Sequence, residues 1–119
     1  MKRPLAYITA AWSGNIHQDE DNAIDYCRLA YEAGFSPICP FLYLPLFINE
    51  DIPEEHKSIT DISRDMLRRS RVLLVCGNTV DKAVKDDIAT AARLKITATT
   101  LDGILTVKEH GQVKGESDY

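Results

Sequence analysis

Two aspartates near the start of one predicted helix, Asp81 and Asp87, are the side chains best placed to do chemistry. Their spacing puts them on different faces of that helix, with Asp81 at its mouth and Asp87 more than a turn deeper. A carboxylate at the mouth can accept hydrogen bonds from ligand hydroxyls, and a deeper one against a buried strand can act as a nucleophile or base. Asp81 also has the residue type and position of a helix N-cap, so a purely structural role remains open.

Polar loops follow two predicted strands, and they are candidates for binding a small molecule. The first loop contains Trp12, Ser13, Gly14 and Asn15, and the second contains Gly77 and Asn78. In an open α/β sheet, ligands bind beyond the carboxyl ends of the strands, so both loops and Tyr7 of the first strand can border one pocket. Tyr7 can equally be a core residue, and Trp12 can stack on a base or cover the core.

Other kinds of site are not indicated. The loops lack the GxGxxG and GxxxxGK[ST] patterns, and no Ser-His-Asp arrangement is recognisable, so no cofactor is expected. The three histidines have no metal-ligand spacing, and we expect no metal site. The three cysteines are widely spaced within apolar segments, which favours inert core thiols in a reducing cytoplasm (Cys27, Cys39 and Cys76).

Length and charge limit the class of protein. A chain of 119 residues is expected to form one domain, and its net charge of −4 argues against binding a nucleic-acid polymer. No run of about 18 apolar residues is present, so we expect a soluble cytoplasmic protein without a membrane partner. A run of arginines at 64–71 is either a solvated helix face or a surface for a phosphate or an acidic partner.

The order of elements predicts an α/β fold. Apolar runs predict strands at 5–11, 35–39, 72–76 and 96–100, with a fifth candidate at 104–107, and amphipathic helices lie between them. This alternation predicts a single-domain, doubly wound, mostly parallel sheet of four to five strands, Rossmann-like or flavodoxin-like. The first and third strands should be adjacent at the centre. We assign the domain to residues 1–108 and a polar C-terminal tail to 109–119.

The segment 41–52 is strongly apolar but is interrupted by prolines, which prevent a long regular element. An apolar loop of this length is normally covered by a ligand, a partner subunit or the protein's own helices. The segment 41–48 and the helix that follows it (54–71) are therefore candidate interface elements.

These residues together resemble the nucleoside 2-deoxyribosyltransferase superfamily, and a small branch of it in particular. The resemblance covers about residues 5–100 and rests on Tyr7-x-x-Ala10-x-Trp12, Gly77 and Asp81-x5-Asp87-Ile88-x-x-Ala91. It implies N-glycosidic bond cleavage or deoxyribosyl transfer through a covalent glycosyl-enzyme intermediate. It also implies a homo-oligomer, at least a dimer, in which a neighbouring subunit closes the pocket.

The resemblance assigns roles to three residues. Asp87 matches the nucleophile, Tyr7 the tyrosine that orients it, and Asp81 a position on the 5′ side of the sugar, where an acid favours a free hydroxyl over a phosphate. The sequence departs from the family pattern where Asp87 replaces a glutamate and Ser63 replaces an acidic residue that acts on the leaving base. These departures leave two alternatives open: a protein that binds a nucleoside-derived metabolite without turning it over, and an oligomeric interaction module.

Overall fold

Four parallel strands form one sheet, in the order β2-β1-β3-β4, in a computed structural model that describes residues 2–103. The strands are β1 (Leu5–Ala10), β2 (Ser36–Ile38), β3 (Val72–Cys76) and β4 (Thr97–Thr100), and the helices are α1 (Ile16–Glu32), α2 (Pro53–Arg68) and α3 (Lys82–Arg93). The chain is thus an α/β domain with a Rossmann-like or flavodoxin-like arrangement. The predicted fifth strand and the polar tail lie outside the described residues.

The pairing of β1 with β3 forms the centre of the sheet, as the sequence predicts. Tyr7 pairs in register with Leu73 and Thr9 with Val75. All five residues of β3 are buried, which agrees with a central strand covered on both faces. The chain leaves β1 in one direction to form β2 and later crosses to β3 on the opposite side, so the switch point of the sheet lies between β1 and β3.

Alternating residues of β1 face the two sides of the sheet. Ala6, Ile8 and Ala10 pack with residues of α1. Tyr7 packs on the other side with Leu67 of α2 and with residues of α3. Thr9 follows Tyr7 by two positions, so its side chain lies on the face shared by α2 and α3.

Helix α2 is held to the rest of the molecule by a small apolar contact. Leu67, which is 1 % exposed, is its only buried residue, and its other inward apolar residues are half-buried (Ile59, Ile62 and Met66). No helix among residues 2–103 is both long and apolar enough to cross a bilayer.

The apolar segment before α2 divides into an inner and an outer part. It forms two short 3₁₀ turns, Pro40–Leu42 and Leu44–Leu46. Leu44 is buried and Phe41 packs against the core, whereas Leu46 and Phe47 are 81 % and 67 % exposed. The protein's own fold therefore covers the first part of the segment and leaves its end open to solvent.

Replacing Leu67 with alanine should loosen α2 and destabilise the protein. We expect Leu67→Ala to lower the free energy of unfolding by about 2–5 kcal/mol, because it removes a fully buried side chain and leaves a cavity. Leu94→Ala is the matched control, since Leu94 is 36 % exposed and should contribute little. Urea unfolding measures both variants, and equal losses would contradict the assignment of Leu67 as the anchor of α2.

Candidate ligand-binding site

A cavity of about 530 Å³ lies at the carboxyl end of β1, between α2 and α3. Its floor includes Tyr7 and Thr9 of β1, and the 3₁₀ turns close one side. Ser63 lines it from α2 and Asp87 lines it from α3. Its position next to the switch point of the sheet is where ligands bind in folds of this type.

Asp87 is held in this cavity by a strand residue. The Thr9 hydroxyl donates a hydrogen bond of 2.7 Å to Oδ2 of Asp87. Within the described residues, no other side chain donates to this carboxylate. Burial raises the pKa of Asp87, and the Thr9 hydrogen bond and the Arg64 charge oppose that rise. The carboxylate is thus fixed through one oxygen in a partly desolvated site.

Tyr7 lies in the same cavity, but it does not bond to Asp87. It is 7 % exposed, and burial raises its pKa to about 12, with the Ser63 hydroxyl acting in the opposite direction. No hydrogen bond joins Tyr7 and Asp87 in the described part of the chain. Thr9 lies two residues closer to the end of the strand, where α3 passes over it, and it makes the contact that the resemblance implies for Tyr7.

An aromatic pair forms another wall of the cavity. The rings of Trp12 and Phe41 stack with centroids 4.3 Å apart and planes inclined by 15°. Both residues line the cavity and also pack against the core. Trp12 therefore covers the core, one of the two roles that the sequence left open, and it also presents an aromatic surface to the cavity.

Polar groups of the loop after β1 form hydrogen bonds with Asp19 of α1. Asp19 of α1 is only 3 % exposed and accepts three hydrogen bonds, from the Ser13 amide and hydroxyl and from the Gly14 amide. These bonds lower the pKa of Asp19. Asn15 caps α1, because its side-chain oxygen accepts a hydrogen bond of 3.2 Å from the backbone N–H of Gln18. Ser13, Gly14 and Asn15 thus shape the loop and do not line the cavity.

Asp81 is the N-cap of α3. Its Oδ1 accepts a hydrogen bond of 3.0 Å from the Val84 amide, and its side chain is not part of the cavity lining. The structural role that the sequence left open for this residue is therefore the one observed. A contact between Asp81 and a sugar stays a prediction from the resemblance alone.

Gly77 and Asn78 lie after β3 and outside the cavity lining. Gly77 adopts a positive φ of 82°, and a side-chain carbon there would lie 3.0 Å from the Tyr26 hydroxyl. The positive φ and the close approach of Tyr26 both favour glycine at this position, so no ligand is needed to explain it. Asn78 is exposed.

Several cavity residues were not identified from the sequence. They are Thr9, Phe41, Glu50 and Thr60 as lining residues. The sequence could have indicated Thr9, because it shares a strand face with Tyr7 and lies nearer the ligand-binding end. Ser63 was indicated by the resemblance and Arg64 by the basic run, but the sequence does not fix which helix lies beside α3.

The family model described as Domain of unknown function (DUF7768) matches residues 4–101. The chain belongs to that family. The matched range includes all four strands of the sheet and every residue described above as lining the cavity. A search of curated proteins found no match.

Asp87→Asn should stabilise the protein at neutral pH. Burial raises the pKa of Asp87 above its ordinary value of 3.8, so folding penalises the ionised form. That penalty is present above the folded-state pKa and disappears as the pH falls below 3.8. The asparagine carries no charge and keeps an oxygen that can accept from Thr9.

The measurement is thermal unfolding of both proteins between pH 3 and pH 8. The variant should have the higher Tm at pH 7, and the difference should shrink towards low pH. A variant that is less stable than the wild type at neutral pH would contradict a desolvated Asp87.

Proposed function

We propose that the cavity binds a nucleoside or nucleotide, and that Asp87 is the nucleophile in N-glycosidic bond cleavage or deoxyribosyl transfer. The observation that carries this proposal is the Asp87 carboxylate, held by Thr9 inside a cavity that also has an aromatic wall. We further propose that the protein works in the reducing cytoplasm, where its three free thiols would remain reduced.

The shape and chemistry of the cavity suit such a ligand. A volume of about 530 Å³ lies within the usual range of roughly 300–1,000 Å³ for small-molecule sites. The stacked Trp12 and Phe41 rings offer an apolar face beside which a base can lie, and the polar floor of the cavity suits a sugar. The ligand would then lie between α2 and α3, with its sugar towards Asp87.

The proposed reaction uses the ligand, the Asp87 carboxylate and either water alone or water and a second base. An oxygen of ionised Asp87 attacks the anomeric carbon and forms a C–O bond, while the C–N bond breaks and its electron pair leaves with the base. The base takes a proton from water. Water or the ring nitrogen of a second base then attacks the same carbon and loses its proton to solvent, while the C–O bond to Asp87 breaks. This step gives the free sugar or a new nucleoside and restores the carboxylate. Thr9 holds Oδ2, which fixes the orientation of the carboxyl group for this attack.

Binding without turnover is the second candidate, and one observation favours it. The α2 wall offers the Ser63 hydroxyl beside Tyr7, at the position where the resemblance implies an acidic residue that protonates the leaving base. The same substrates that test catalysis distinguish the two candidates.

Asp87→Asn should abolish release of free base from 2′-deoxynucleosides and their 5′-monophosphates, measured by chromatography. Loss of a nucleophile typically lowers the rate by a factor on the order of 10⁴ or more. Thr9→Val should lower the rate by about 10- to 100-fold, since the carboxylate remains but is no longer oriented. Asp25→Asn, an exposed change on α1, is the control and should keep full activity.

Ligand-dependent thermal stabilisation without base release would favour the binding protein. Base release that survives in Asp87→Asn would contradict the proposed nucleophile. If no nucleoside or nucleotide stabilises the protein, the interaction module becomes the better interpretation.

We also propose that the protein forms a homodimer through α2 and the exposed end of the apolar segment. Leu46 and Phe47 present an apolar surface beside α2, a helix with a single buried residue. Carboxylates cluster before and at the start of this helix, and arginines at its end (Glu50, Asp51, Glu54 and Glu55; Arg68, Arg69 and Arg71). A two-fold axis that pairs antiparallel α2 helices would place each acidic end opposite a basic end.

Phe47→Asp should convert the dimer into a monomer. The change would bury an unpaired charge in an apolar interface, so we expect the dimer Kd to rise by at least about tenfold. Ile24→Asp is the matched control, because Ile24 is 55 % exposed on α1, on the opposite side of the sheet. Sedimentation velocity at tens of micromolar measures all three proteins, and a monomeric wild type would contradict the proposal.

A further inference from the structure

Arg64 is the one basic side chain among the described residues that line the cavity. It projects from α2, while Asp87 projects from α3, so the two side chains line the cavity from the two helices that flank it. Its charge acts on Asp87 by lowering the pKa of that carboxyl group. A cation in this position can interact with whatever occupies the space between the helices.

The neighbouring arginines on α2 are engaged differently. Arg68 and Arg69 both form ion pairs of 3.4 Å with Asp65, on the outer surface of the helix. Arg64 forms no ion pair within residues 2–103. Within helix α2, the basic run therefore separates into Arg68 and Arg69, which pair with Asp65 at the surface, and Arg64, which lines the cavity.

The carboxylates of α3 in the cavity already have partners of their own. Asp87 accepts from Thr9, and Asp86 forms an ion pair of 3.0 Å with Lys82. Asp81, the acid expected to disfavour a phosphate, caps α3 and lies outside the lining. Glu50, the remaining carboxylate of the lining, makes no ion pair with Arg64 among residues 2–103. The Arg64 guanidinium is therefore available to a ligand, and its planar fork of donors matches the oxygens of a phosphate.

We propose that Arg64 is a specificity-determining residue that makes the cavity select a phosphorylated nucleoside over the unphosphorylated one. This inference rests on the proposed function, since it names the ligand class of the same site. The aromatic wall would hold the base, the floor near Asp87 the sugar, and Arg64 the phosphate. Selection of this kind is electrostatic, so it should weaken as salt concentration rises.

The test is isothermal titration calorimetry with three probes: a 2′-deoxynucleoside, its 5′-monophosphate and 2-deoxyribose 5-phosphate. The wild type should bind the monophosphate at least about tenfold more tightly than the nucleoside, as a charge-assisted hydrogen bond implies. Arg64→Gln should remove this difference by weakening monophosphate binding, and thermal unfolding checks that the variant is folded. Arg64→Lys should retain part of it, and Arg68→Gln should retain all of it.

Equal affinity of the wild type for nucleoside and monophosphate would overturn the role of Arg64 but leave the proposed function standing. If Arg64→Gln and Arg68→Gln lose the preference for the monophosphate equally, the role of Arg64 would likewise be overturned and the proposed function would stand. Binding of the sugar phosphate alone, lost in Arg64→Gln, would keep the anion contact and overturn both the nucleoside ligand and the proposed function. Binding of none of the three probes by the wild type would overturn both proposals.

Discussion

The hydrogen bond between the Thr9 hydroxyl and the Asp87 carboxylate ties the central strand to helix α3, and the geometry of the cavity depends on it. It can form because β1 lies beside β3, so that the helix following β3 passes over the carboxyl end of β1. Thr9 also has to face the side of the sheet that α2 and α3 share. A shift of one residue in the register of β1 would turn this hydroxyl towards α1 and leave Asp87 without a partner.

Partial burial of Asp87 lowers the stability of the fold and also marks this carboxylate as a candidate functional group. The carboxylate loses hydration on folding, and the Thr9 hydrogen bond and the Arg64 charge only partly compensate for that loss. Groups that lower stability in this way are typical of sites where chemistry or binding takes place. Asp19 shows the opposite arrangement, because three hydrogen bonds from the neighbouring loop stabilise its ionised form. One aspartate therefore supports the scaffold, and the other is a candidate for function.

Helix α2 lines the cavity, and only one of its residues is buried. Its inner side provides Ser63 and Arg64 to the cavity, while Leu67 alone is fully buried. The apolar residues Leu46 and Phe47 just before it remain largely exposed. A partner that covers this surface would restrict the position of α2 and so define one wall of the cavity. Oligomerisation and ligand binding would then be linked through the same helix.

Local patterns in the sequence determined the elements of this protein, because strand and helix formation depend on the spacing of apolar residues and on caps within a few positions. The four strands and the start of α2 at Pro53 follow from such patterns. The adjacency of β1 and β3 follows from the order of the elements along the chain. Only the tertiary structure decided which polar groups meet. It assigned Thr9 to Asp87 across 78 residues of sequence and turned Ser13 and Gly14 towards Asp19. It also brought Arg64 to the cavity. These outcomes depend on how helices lie on the sheet, which packing of the whole chain sets and no local spacing encodes.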